Sequence, residues 1–142
     1  MTYASFRGHK FYLSNFYPCN VDYEGIMYPS SEHAYQAAKS LDIQVRREMS
    51  ALIFPAAAKK VGQKIKLRPL WEEIKIGIMT DIVRAKFTQN KDCEIRLLRT
   101  GDEHLEESNT WGDKCWGTVD GVGENHLGLI LMKVRQQLRD NV

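Results

Sequence analysis

Between Pro69 and Asn90 the apolar residues recur with a helical period on two sides of one segment. Trp71, Ile74, Ile78, Ile82 and Ala85 fall at spacings of three or four, and Ile76, Met79, Val83 and Phe87 form a second stripe. A helix that is apolar on two sides has to be enclosed by other elements, so the spacing predicts a central helix over about Leu70 to Asn90. With 142 residues, 43% of them hydrophobic, the chain is long enough to enclose it within a single domain over 1–142.

The enclosing elements are punctuated clearly. Lys10 to Tyr28 carries aromatic and β-branched residues interrupted by Asn15, Pro18, Asn20 and an Asp22-Tyr23-Glu24-Gly25 turn, which predicts short strands and a hairpin. Pro29 stops the strand, and Ser30 or Ser31 caps a helix running to about Lys39 with Glu32 in its first turn. A second helix is expected over Asp42 to Leu52. A third begins at Pro55 and weakens at Gly62. A helix over about Asp92 to Thr100 ends at Gly101, and an amphipathic one covers roughly His126 to Arg139. Residues 102 to 125 break regularity, and a long irregular stretch inside a domain is often functional. The expected class is α+β: compact, predominantly helical, with a small N-terminal antiparallel β part.

Several function classes drop out. A net charge of +2 with 27% charged residues is that of an ordinary globule, without the basic stripe of a nucleic-acid binder. The start, MTYASFRGHKFYLSNF, lacks the parts of a signal peptide, and no apolar run approaches the ~20 residues that span a bilayer, so a cytoplasmic protein without membrane contact is expected. Cys19, Cys93 and Cys115 are odd in number and lack CxxC spacing, and His9, His33, His104 and His126 have no ligand-like spacing. The expected metal and cofactor content is therefore none. No P-loop is present, and GVGEN at 121 to 125 is no dinucleotide fingerprint.

Two distant segments point to a ligand site. In YPSSEHAYQAAK, at 28 to 39, Glu32, Tyr35, Gln36 and Lys39 share one helical face and Ala34, Ala37 and Ala38 another. That polar face is either solvated or, at a strand-to-helix junction, the wall of a pocket. In WGDKCWG, at 111 to 117, Asp113 sits between tryptophans. It is either a turn former or a catalytic acid, and Trp111 and Trp116 are either covering rings or stacking surfaces. Downstream, Gly121 and Gly123 admit close backbone approach, and the following helix start is suited to a phosphate.

LSNF at 13 to 16, YPSSEHAYQAAK, AKFTQN at 85 to 90, TGD at 100 to 102, the Glu107 to Gly117 stretch and GENHLGLILMKVRQQL at 123 to 138 occur in the order seen in the NADAR family of YbiA-like proteins. The chain resembles that family over nearly its whole length. The resemblance implies a compact, mainly helical fold and cleavage of an N-glycosidic bond. The substrate would be a ribosylamino-pyrimidine phosphate of the early riboflavin pathway, a small phosphorylated nucleoside-like molecule, or ADP-ribosylated guanine in nucleic acid. It also implies that Glu32, Lys39 and Asp113 are catalytic, with Lys39 forming a Schiff base to the opened sugar. Asn15, Phe16, Tyr35, Trp116, Gly117 and Asn125 are the substrate-binding residues on the same grounds. A second WG, Trp111-Gly112, precedes Asp113, so both tryptophans remain candidates for the stacking ring. A noncatalytic ADP-ribose or NAD-binding module is the competing function, and a partner-binding helical domain a third. An amine placed with two carboxylates favours the enzyme, since recognition alone needs no nucleophile.

Overall fold

The structure, a computed structural model, describes residues 6–141. In chain order its elements are a 3₁₀ helix at Gly8–Leu13, strands β1 (Val21–Tyr23) and β2 (Ile26–Tyr28), and helices α1 (Ser31–Ala38), α2 (Ile43–Ser50), α3 (Pro55–Gly62), α4 (Trp71–Gln89), α5 (Lys91–Arg99) and α6 (His126–Asp140). This is the helix-rich α+β architecture with a small antiparallel sheet. Among the described residues no helix is long and apolar enough to cross a membrane. The residues group into two compact units, one of 15–90 and one of 6–14 together with 91–141.

In the 15–90 unit the hairpin pairs Val21 with Tyr28, Asp22 with Met27 and Tyr23 with Ile26. Its turn is only Glu24-Gly25, with φ of 49° and 86°. Two successive positive φ values match the right-handed twist of a two-residue hairpin, which leaves Asp22 and Tyr23 inside the strand instead of in the expected four-residue turn. Val21 and Tyr28 are the buried residues that the short sheet turns inward.

Helix α1 starts where Ser30, in extended conformation, accepts the His33 backbone N–H on its hydroxyl at 3.1 Å. It packs against α2, α3, α4 and both strands. All eight of its residues are buried, polar ones included. The solvated-face reading of Glu32 and Gln36 is thereby excluded. Helix α4 packs on β1 and α1, but its burial is not uniform. Met79, Ile82, Val83, Lys86 and Phe87 are buried, whereas Ile74, Ile76 and Ile78 are half-buried. Trp71 is buried at the start of the helix, but beyond it the enclosure concentrates in the C-terminal half, because the flanking elements cover only part of a 19-residue helix. The buried Lys86 ammonium lies 5.6 Å from the Tyr17 ring centroid and 5.1 Å from that of Phe87.

In the other unit, Lys10 to Leu13 form part of the 3₁₀ helix where strand was expected. Tyr12 and Leu13 are buried and the backbone closes on itself, Lys10 N–H to Arg7 C=O at 3.0 Å and Ser14 N–H to Phe11 C=O at 2.9 Å. Aromatic enrichment reports burial more than backbone state, and local bonds satisfy the main chain just as a ladder would. Helix α5 ends at Gly101 with φ of 63°, the expected left-handed cap. Helix α6 turns Leu127, Ile130, Leu131, Val134 and Leu138 inward and packs on α5.

Candidate active site

Five of the expected site residues, Asn15, Phe16, Glu32, Tyr35 and Lys39, belong to the 15–90 unit. The SNF segment is fastened to the start of α1: the Asn15 carbonyl accepts from Glu32 N–H at 3.0 Å, and the Ser31 hydroxyl donates to Asn15 Oδ1 at 2.9 Å. Asn15 Nδ2 points at Met79 Sδ, 3.5 Å away. Its amide is thus engaged within the protein, and its visible effect is to fix where Glu32 stands. Phe16, next in the chain, is half-buried.

Glu32 is 8% exposed, and Gln36, one helical turn on, donates from Nε2 to Glu32 Oε2 at 2.6 Å. Gln36 itself is 5% exposed, and its Oε1 is buried without a hydrogen-bond partner. Gly62 in α3 makes room for it: a Cβ there would fall 1.9 Å from Gln36 Oε1. The i, i+4 spacing was visible in the sequence, but it did not distinguish Gln36 as the group holding the carboxylate.

Lys39 forms the C-cap of α1, with Nζ donating to the Gly62 carbonyl at 3.3 Å and lying 5.9 Å from the Tyr35 ring centroid. Tyr35 and Trp71, both buried, meet with centroids 5.4 Å apart and planes tilted by 48°. Burial pushes the Lys39 amine below the usual lysine range; Lys75 acts in the same direction, while Glu32 and Glu72 oppose it. One short helix therefore carries a buried carboxylate at its start and a partly desolvated amine at its end.

Asp113, Trp116, Gly117 and Asn125 belong to the other unit. Asp113 Oδ1 accepts the backbone N–H groups of Cys115 and Trp116 at 3.0 and 2.9 Å, an Asx-type turn. The Asn109 amide bonds the Asp113 backbone at both ends, Nδ2 to C=O at 2.8 Å and Oδ1 from N–H at 3.0 Å. That closes a small loop with Trp111, 54% exposed, near its tip. Asn109 had no signal in the sequence beyond being an asparagine in an irregular stretch. Trp116 is half-buried and meets the His126 ring edge-on at 6.2 Å.

Gly117 is required by packing, since a Cβ would lie 2.0 Å from the Glu107 carbonyl. Asn125, left-handed with φ of 51°, accepts from Glu107 N–H on Oδ1 at 2.9 Å and donates from Nδ2 to the Leu105 carbonyl at 3.0 Å. The helix start expected to suit a phosphate is otherwise occupied. The His126 and Leu127 N–H groups donate to the Cys115 and Trp116 carbonyls at 3.1 and 2.9 Å. Likewise, the close approach that Gly123 permits is to the Gly117 and Lys114 carbonyls.

The family model of the NADAR domain matches residues 3–139. The chain belongs to the NADAR family. Among NADAR relatives, the chain is 37% identical over 129 residues to the Escherichia coli N-glycosidase YbiA, with 89% of this chain and 80% of that protein covered. It is 36% identical to an N-glycosidase of Nostoc punctiforme, covering 90% and 85%. It is 39% identical to a riboflavin biosynthesis protein of Vibrio vulnificus; that match covers 92% of this chain and 36% of the longer protein. The NMR structure of E. coli YbiA superposes with a TM-score of 0.87 at 34% identity, covering 99% of this NADAR chain and 85% of that one.

Proposed function

We propose that the chain cleaves the bond between ribose C1 and nitrogen, in a ribosylamino-pyrimidine phosphate of riboflavin synthesis or in ADP-ribosylated guanine. Family membership makes it a hydrolase acting on N-glycosyl bonds; the choice of substrate, the cytoplasmic setting and the single NADAR domain over 1–142 belong to this reading. The observation that carries it is the α1 pair, with Glu32 buried against Gln36 and Lys39 partly desolvated beside Tyr35.

Those groups suit the reaction. Breaking the C1–N bond develops positive charge at C1, which a buried carboxylate stabilises. In the covalent route the ring opens by breaking C1–O4′. O4′ takes a proton, C1 becomes an imine, and the neutral Lys39 Nζ adds to C1. The substrate nitrogen then leaves with a proton, and water adds to the Schiff base to release the sugar and restore the amine. Burial favours the neutral amine that this step consumes. The assignments of Asp113 as acid or base, of a tryptophan as stacking ring, and of Asn15, Phe16, Tyr35, Gly117 and Asn125 as binding residues rest on the matched family segments. For Asn15 and Asn125 the engaged amides favour a supporting part.

Incubating the purified chain with each substrate and following products by mass spectrometry tests the reading. Release of free base and free sugar from one of them is expected. Saturable binding of ADP-ribose with both glycosides left intact would favour the noncatalytic module instead.

A further inference from the structure

The segment entering α6 gathers three side chains whose spacing, 115, 124 and 126, matches no ligand motif. One donor atom each from Cys115, Glu124 and His126 lies within 4.8 Å of the other two. Cys115 and His126 are half-buried and Glu124 is exposed. Glu124 Oε2 already meets His126 Nε2 at 2.8 Å. The main chain holds the three together. Glu124 N–H donates to the Lys114 carbonyl at 2.7 Å, Asn125 N–H to Gly117 at 3.2 Å, His126 N–H to Cys115 at 3.1 Å and Leu127 N–H to Trp116 at 2.9 Å. Gly123, with φ of 149°, allows the crossing, since a Cβ there would lie 2.5 Å from the Gly117 carbonyl and 3.0 Å from that of Lys114. The proximity of the three residues is thus built into the backbone.

We propose that Cys115, Glu124 and His126 bind a zinc ion, with the fourth tetrahedral position left to water. Thiolate, imidazole and carboxylate are the zinc donor set, and the thiolate selects against magnesium and calcium, which favour all-oxygen sites. On binding, the metal takes the place of the Cys115 thiol proton, which passes to solvent, and the neutral imidazole exchanges its bond with Glu124 for coordination. No electron changes hands. The ion ties Cys115 to the first turn of α6, next to Asp113, whose Oδ1 holds the Cys115 N–H, and Trp116, whose ring meets His126. The proposal is independent of which glycoside is cleaved.

The test uses the full chain, reduced, stripped of metal and titrated with Co²⁺. One equivalent is expected to bind with thiolate-to-cobalt charge-transfer absorption, and Zn²⁺ is expected to displace it. Cys115→Ser should abolish that absorption, and Cys19→Ser should leave it. Glu124→Gln and His126→Gln should each weaken Co²⁺ binding by at least about tenfold, the lower end of what losing a mere outer-shell partner costs. Absence of saturable binding, charge transfer that survives Cys115→Ser, or unchanged affinity in Glu124→Gln would overturn the site. Because Glu124 is exposed, its variant keeps the fold and decides the matter even if another variant unfolds.

Discussion

Glu32 and Lys39 occupy positions that ordinary helix residues do not. A carboxylate 8% exposed is retained only where something holds it, and Gln36 does so at 2.6 Å. Glu32→Gln keeps the side-chain volume while removing the charge. It is expected to leave the thermal midpoint nearly unchanged and to lower turnover of the confirmed glycoside by about 100-fold or more; unaltered turnover would remove Glu32 from the chemistry. For Lys39 the test is covalent. Borohydride added during turnover is expected to trap an adduct of sugar mass on Lys39, and Lys39→Arg, which keeps the charge without the nucleophile, should lose both adduct and activity. An active arginine variant, with no adduct on the native chain, would leave direct attack of water on C1. Both residues were legible in the sequence, because positions 32, 35, 36 and 39 share a face by the helical period alone. Burial of that face was not legible, since it depends on what packs there.

Among the elements, α1 is pinned through His33. Its Nδ1 meets the Ser30 hydroxyl at 2.6 Å and its Nε2 meets the Leu52 carbonyl at 2.9 Å, so a neutral ring that donates from Nε2 and accepts at Nδ1 satisfies both partners. Burial lowers its pKa from 6.5, outweighing the Leu52 bond. The unfolded chain therefore binds the proton first. This contribution to stability is full above pH 6.5 and declines as pH falls below it, toward the depressed folded pKa. Thermal midpoints measured between pH 7 and 5.5 should fall, and the decline should be shallower in His33→Gln; an identical slope would refute this source. The start of α6 makes the opposite demand on prediction. Its helical period was readable, but the left-handed Asn125 bonds Leu105 and Glu107, 20 and 18 positions away. Asn125→Ala removes both bonds, one to the buried Leu105 carbonyl and one from the half-buried Glu107 N–H, and should cost about 2 kcal/mol or more in urea denaturation. A cost under about 0.5 kcal/mol would show that the amide is dispensable.

Across the whole molecule, chain order and packing order diverge: residues 6–14 join 91–141 in one unit, with 15–90 intervening. Arg96 makes that closure, its guanidinium 4.1 Å from the Tyr12 ring centroid and its Nη2 donating to the His9 carbonyl at 2.8 Å, while Tyr12 Oη donates to the Arg96 carbonyl at 3.1 Å. Arg96→Ala should cost about 1–3 kcal/mol. Amide exchange should locate the lost protection in 6–14 and 91–141; equal loss throughout 15–90 would contradict the assignment. Nothing local announced this pairing. Helix period, a serine cap at 30 or 31, Pro55 and the Gly101 stop were settled by the sequence itself, because their energies are decided within about one helical turn; that Ser30 is the serine that caps was settled by the structure. The 3₁₀ turn over Lys10 to Leu13, the half-covered start of α4, the enclosure of Glu32 and the meeting of Cys115 with Glu124 and His126 were decided only by tertiary structure. Each depends on which distant groups remove water from a side chain or complete its hydrogen bonds, and neither spacing nor composition carries that information.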